Sequence, residues 1–146
     1  MSKFFTVLKF IYLYIAYWLV GLTEEDFYIK KGDYFADLGL YHSAIKYYQK
    51  AIKESEMYFL YALIGWCYLN IENDELALDN YRKAYEKIKK QYVTVPLASL
   101  EMKIGNKEHC EEVFKNIREE RSELPEESLE HYDKVKAYLD KNNILN

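Results

Sequence analysis

Between residues 25 and 38, and again between 58 and 71, bulky apolar side chains recur at helical spacing, with a glycine in each stretch where a second helix must come close. A second stretch of the same period follows each, over residues 41–53 and 74–89, with Ala44 and Ala51, then Ala77 and Ala84, at the packing positions. The two halves superimpose at a shift of 33 residues: Tyr28, Gly32, Phe35, Ala44, Tyr48 and Ala51 recur as Tyr61, Gly65, Tyr68, Ala77, Tyr81 and Ala84. Small residues at these positions let two antiparallel helices approach to the short end of the usual range of about 8–10 Å, with Tyr48 and Tyr81 filling the space beside them. Each half is therefore predicted to be a helical hairpin. Its turn is Leu38-Gly39-Leu40-Tyr41 in the first unit, with glycine as the helix stop, and Glu72-Asn73-Asp74 in the second.

A third unit keeps the phase. Ala98, Cys110, Phe114 and Ile117 fall on the repeat positions, with Ile104-Gly105-Asn106 as the turn. Its opening departs from the pattern, since Thr94 replaces the large aromatic and Pro96 follows. Proline suits a first helical turn, so this helix is expected to begin near Pro96. Pro125 then opens a last helix over 126–141, whose Leu129, Tyr132, Val135 and Leu139 form one apolar stripe. The motif shared by the first two units, an aromatic, a glycine four residues on, a further aromatic, then Ala-x3-Tyr-x2-Ala, is similar to that of tetratricopeptide (TPR) repeats. The resemblance covers roughly residues 24–141. It implies an all-α fold, a TPR-type solenoid of three helical hairpins at about 25–57, 58–90 and 91–123, with a capping helix at about 125–141.

Residues 1–23 stand apart from this domain of 24–146. Residues 4–22, FFTVLKFIYLYIAYWLVGL, would rise about 28 Å as a helix, close to the roughly 30 Å of a bilayer core, with Lys9 as the one internal charge. Three readings compete: a signal peptide, though no small-x-small cleavage site precedes Thr23-Glu24-Glu25-Asp26; an extra helix buried by the repeats or by another subunit; and a single-pass N-terminal transmembrane anchor. The anchor is the reading carried forward, helped by Phe4 and Phe5 at one end and Tyr17 and Trp18 at the other. Tyr12, Tyr14, Tyr17 and Trp18 would then pack against other membrane subunits, because a hydroxyl in mid-bilayer needs a partner. Lysines on both flanks, Lys3 and Lys9 before and Lys30 and Lys31 after, leave the side on which the repeats lie open.

Charge and chemistry narrow the function. The net charge of −4 and the absence of any basic stretch interleaved with aromatics argue against nucleic acid. Cys67 and Cys110 occupy repeat positions that want small buried side chains and read as core thiols. His42, His109 and His131 have no cysteine or serine nucleophile beside them, and no metal-ligand, phosphate-loop or cofactor motif occurs. Paired carboxylates such as Glu111-Glu112 read as a solvated helix face. No catalytic, metal or cofactor site is expected, and the chain is read as non-enzymatic.

What remains is binding. By the TPR resemblance, the first helices of successive hairpins line a concave groove, placing there Asp26, Ile29, Asp33 and Asp37 from the first unit, Phe59, Ala62, Trp66 and Leu69 from the second, and Val95, Ser99 and Met102 from the third. TPR domains that grip acidic chaperone tails do so with a Lys-x2-Gly-Asn run and a following Asn. The matching places here read Ile29, Gly32, Asp33 and Leu63, so that clamp is absent. The implied ligand is an apolar or amphipathic helix or peptide with basic flanks, unless the C-terminal helix folds back over Trp66. Two functions stay open: a membrane-anchored adaptor or assembly factor holding a partner segment in its groove, with the N-terminal helix in lipid, or a permanent accessory subunit of a large membrane complex, with that helix packed against other subunits.

Overall fold

The computed structural model describes residues 2–54, 57–118 and 124–142. Among them are helices and turns and no strand: α1 (Ser2–Val20), α2 (Glu24–Asp37), α3 (Tyr41–Glu54), α4 (Tyr58–Asn70), α5 (Asp74–Tyr85), α6 (Gln91–Lys103), α7 (Lys107–Arg118) and α8 (Glu126–Lys141). Helices α2 and α3, α4 and α5, and α6 and α7 pair as antiparallel hairpins, each hairpin stacks on the next, and α8 closes the far end against α6 and α7. The described residues form an all-α solenoid of stacked helical hairpins.

The period of 33 is visible as a repeated atomic contact. A Cβ added to Gly32 would lie 2.4 Å from the ring of Tyr48, and one added to Gly65 would lie 2.9 Å from the ring of Tyr81. Glycine is what lets α2 meet α3, and α4 meet α5, with a tyrosine ring flat between them. In the third hairpin the same places hold Ala98, whose carbonyl oxygen accepts from the Cys110 thiol at 3.5 Å. The turns repeat as well. Gly39 and Gly105 take left-handed φ angles of 71° and 77°, and the amides that follow them, Leu40 N and Asn106 N, reach back to Phe35 O at 2.9 Å and Glu101 O at 3.0 Å. In the second hairpin Glu72 fills the glycine place with φ 58°, and Asn73 N bonds Tyr68 O at 2.9 Å. Side chains cap two helix starts: Thr23 Oγ1 accepts from Asp26 N at 3.1 Å and Asn73 Oδ1 from Leu76 N at 3.1 Å.

The core divides in two. Ala44, Ile45, Tyr48, Ala51, Leu60, Ile64 and Cys67 form one cluster between the first hairpins, and a larger one runs from Tyr81 through Val93 and Phe114 to Leu139 of α8. Both cysteines are buried and unoxidised. Burial pushes the Cys67 thiol up to about 12 and the Cys110 thiol up to about 11, which leaves them protonated and unreactive.

Two expectations need correction. Helix α6 does not begin near Pro96 but at Gln91, with Pro96 inside it. The proline removes one intrahelical donor, and the burial of Val93, Thr94, Val95 and Leu97 on the same helix outweighs that loss. The N-terminal helix ends at Val20, because Gly21 takes a left-handed φ of 67°. No helix among the described residues is long and apolar enough to cross a membrane. The side chains of Phe4 and Phe5 lie outside the described residues. Helix α1 rests on α2, where Tyr14 and Tyr17 contact the Phe27 ring with centroids 5.2 and 4.7 Å apart, and Lys31 Nζ donates to the Tyr14 hydroxyl at 3.1 Å. Lys31 is buried among the rings of Tyr14, Phe27 and Tyr47.

Candidate functional site

Helices α2, α4 and α6 line the inner side of the stack, and two connected hollows run along them. The first, about 560 Å³, lies between Asp33 and Asp37 of α2, Ala62, Leu63 and Trp66 of α4, and Tyr92 of α6. The second, about 540 Å³, is bounded by Trp66, Leu69, Tyr92, Val95, Pro96, Ser99 and Lys103, with Ser128 and His131 of α8 at its far wall. Trp66, Tyr81 and Tyr92 border both.

Trp66 sits where the hollows join. Its ring is 42 % exposed, and Tyr41 meets it edge-on at 5.5 Å between centroids. That contact and the short two-χ side chain fix its direction at little entropic cost. The C-terminal helix does not cover it. Helix α8 forms a wall of the second hollow instead, joined to α6 where Ser99 Oγ and His131 Nδ1 lie 3.3 Å apart.

The two ends of the groove differ in charge. At the α2 end the Asp33 carboxylate accepts from the Tyr48 hydroxyl at 2.8 Å. Burial first, and this bond second, push the Tyr48 phenol far above its ordinary range, so it stays a donor. Asp37 is exposed beside it, with Lys9 of α1 at 3.8 Å. At the other end Lys103 pairs with Asp74. Gln91, which lines the second hollow, has a buried side-chain carbonyl oxygen with no hydrogen-bond partner among the described residues.

The structure brings Asp33, Ala62, Trp66, Leu69 and Val95 together around these hollows. Four expected groove residues lie elsewhere. Asp26 belongs to the cap of α2, where its amide and carboxylate both bond Thr23 Oγ1. Ile29 packs against the first core cluster and Met102 against the second. Phe59 is exposed on α4 but does not border either hollow. Tyr92 and His131 were missed, whereas Asp37 and Ser99, expected on the same grounds, do line the hollows. Tyr92 precedes Pro96, where the helix was expected to start, so the misplaced helix start hid it; His131 reaches the groove only through the docking of α8.

A second polar cluster lies away from the groove. Glu101 has no exposed surface. It accepts from Arg82 Nε and Nη2 at 2.7 and 2.9 Å and from Asn106 Nδ2 at 3.0 Å, and the Nδ1 of His109 is 2.6 Å away. Burial alone would raise this carboxyl, but the bonds from Arg82 and His109 win and hold it below the usual carboxylate range. The cluster ties α5, α6 and the start of α7 into one unit. Sequence spacing offered no sign of it, since Arg82 and Glu101 meet only after two hairpins stack.

The comparisons agree with this geometry. A tetratricopeptide repeat family model matches residues 25–56 and 60–86, which are the first two hairpins. No curated protein matches in sequence. Among solved structures, the Sgt2 TPR domain from Aspergillus fumigatus aligns with a TM-score of 0.68 at 15 % identity, covering 84 % of this chain and 83 % of that one. The second TPR domain of human RPAP3, solved in complex with the HSP70 peptide SGPTIEEVD, aligns at 0.59 and 19 %, covering 72 % and 88 %. MamA MSR-1 C2 aligns at 0.56 and 15 %, covering 89 % and 84 %. At these identities the likeness is one of fold.

Proposed function

We propose that this chain of tetratricopeptide repeats is a non-enzymatic protein-interaction module that holds an apolar or amphipathic segment, basic at one end, in the groove between α2, α4 and α6. One observation carries the reading: a large, oriented and exposed aromatic, Trp66, stands at the junction of two hollows with apolar walls. Asp33 and Asp37 at the α2 end favour a lysine or arginine on the ligand, and the buried oxygen of Gln91 favours a donor near the other end. The RPAP3 domain holds a peptide ending in Glu-Glu-Val-Asp. Here such a tail would meet Asp33 and Asp37, with Ile29 at the place of the clamp lysine and Lys103 of the second hollow paired with Asp74, so this groove is expected to reject it.

Displaying a peptide library against the purified chain tests the reading. Apolar segments with a basic flank should be recovered, and Trp66→Ala should weaken them by at least roughly 30-fold. Recovery of acidic tails, or binding indifferent to Trp66→Ala, would contradict it. The wider setting has two versions, an adaptor tethered at a membrane and a permanent subunit of a membrane complex. Both need α1 to meet something outside the chain, and its exposed side supports that. Co-migration with one complex in fixed stoichiometry, after purification in mild detergent, would select the second.

A further inference from the structure

Helix α1 has two unlike sides. Tyr14 and Tyr17 are turned to Phe27 and Lys31 of α2. On the other side Leu8, Ile11, Tyr12, Ile15, Trp18 and Leu19 succeed one another at helical steps of three and four, and all are exposed, Trp18 to 81 %. A continuous apolar stripe of this length on the surface of a folded chain marks a contact surface. Its charge is also one-sided: α1 carries Lys3 and Lys9 and no carboxylate, while the chain as a whole is at −4.

We propose that α1 lies in the plane of an anionic membrane surface, its exposed stripe seated among the lipid headgroups and upper acyl chains and its Tyr14 and Tyr17 side still docked on α2. Three features choose this occupant and this orientation. Packing two copies stripe to stripe would bring the α1 lysines of both copies together, Lys9 being largely exposed with Asp37 of α2 at 3.8 Å and α1 itself carrying no carboxylate, whereas anionic headgroups add opposite charge around them. Trp18 and Tyr12 present apolar bodies with polar edges, which suit headgroup depth. A spanning helix would have to pull Tyr14 and Tyr17 off Phe27 and leave the buried Lys31 without the Tyr14 hydroxyl; an in-plane helix keeps all three contacts. The inference goes beyond the groove and does not depend on it.

The test uses the full chain with phosphatidylcholine vesicles, with and without phosphatidylserine. The chain should float with the phosphatidylserine vesicles, several-fold more weakly with phosphatidylcholine alone, and Ile15→Asp/Trp18→Asp should reduce flotation at least roughly tenfold while the circular dichroism spectrum stays unchanged. Because both sites are exposed, the double variant should fold; Leu8→Asp/Ile11→Asp gives an independent second disruption. Depth is read on Trp66→Phe, which leaves Trp18 as the single tryptophan. Quenching should be strongest by lipids labelled near the headgroup. Strongest quenching by labels at the bilayer centre means a spanning helix and overturns the in-plane placement. Failure to float, whether the chain is then monomeric or a dimer that the stripe variants dissociate, overturns the lipid assignment, as does flotation equal to wild type in both double variants.

Discussion

Helices α1 and α4 are the two most apolar of the chain, and each is apolar nearly all round, yet they meet opposite fates. Helix α4 lies between α3 and α5 and buries Leu60, Ile64, Gly65 and Cys67, leaving Trp66 to the groove. Helix α1 rests chiefly on α2 and keeps a whole stripe in solvent. Apolar content alone does not separate them. What separates them is the period: α4 has a hairpin partner, met where Gly65 faces the Tyr81 ring, and a stacking neighbour at the repeat spacing, while α1 stands outside the repeat and rests chiefly on one neighbour. Hydrophobic sequence becomes core where the chain supplies complementary surface on both sides, and becomes contact surface where it does not.

Substitutions on the two helices sharpen this contrast. The largest effect should come from Gly65→Leu, which forces a branched side chain into the ring of Tyr81 and should cost about 3 kcal/mol or more in urea unfolding. Ile15→Ala, an equally apolar change on α1, should cost under about half a kcal/mol in the same experiment. Similar losses at both sites would erase the distinction between the helices. Next in size is Arg82→Ala, which strips the bidentate partner from buried Glu101 and should cost roughly 2 kcal/mol. The same cluster gives stability a pH dependence. Glu101 has a folded pKa held below its ordinary 4.5, so its contribution is complete above about that pH and is lost as pH falls through the lower folded value. The thermal midpoint should therefore drop below pH 4.5, and more shallowly in Glu101→Gln; an unchanged slope would show that the carboxylate is not held as described. The smallest effect, of opposite sign, belongs to Glu72→Gly. Relieving a left-handed glutamate at the place where the other hairpins use glycine should stabilise by about 0.5–1 kcal/mol, measured by thermal unfolding.

Much of this was legible in the sequence because the fold is written as a repetition. The pairing of Gly32 with Tyr48 and Gly65 with Tyr81 and the turns at Gly39 and Gly105 follow from one spacing applied along the chain, and the capping helix follows from Pro125 and the apolar stripe after it. The departures have physical causes. Pro96 reads as a helix start by local preference, and burial of its neighbours overrides that preference. The Glu101 cluster and the place of His131 depend on which hairpins stack, a tertiary fact that spacing cannot express. Within the groove, the TPR resemblance put Ala62, Trp66 and Leu69 of α4 on the lining of the hollows, while Asp26, Ile29, Phe59 and Met102 fell on the right helices but not on that lining. Composition marked α1 as apolar and could not say that Tyr14 and Tyr17 would turn to α2 rather than to other membrane helices, or that Tyr12 would stay exposed.

The central claim is that the two tryptophans mark two separate surfaces, one built by the repeat and one left over from it. It is tested most directly by crossing two variants with two probes. Trp66→Ala and Trp18→Asp are each measured for binding to a groove peptide recovered from the library and for flotation with phosphatidylserine vesicles. The expected result is a clean exchange: Trp66→Ala loses the peptide at least roughly 30-fold and floats as wild type, while Trp18→Asp keeps the peptide and floats poorly, both with thermal midpoints within a few degrees of the parent. Loss of both activities in either variant, or collapse of the fold by Trp66→Ala with no ligand present, would contradict it.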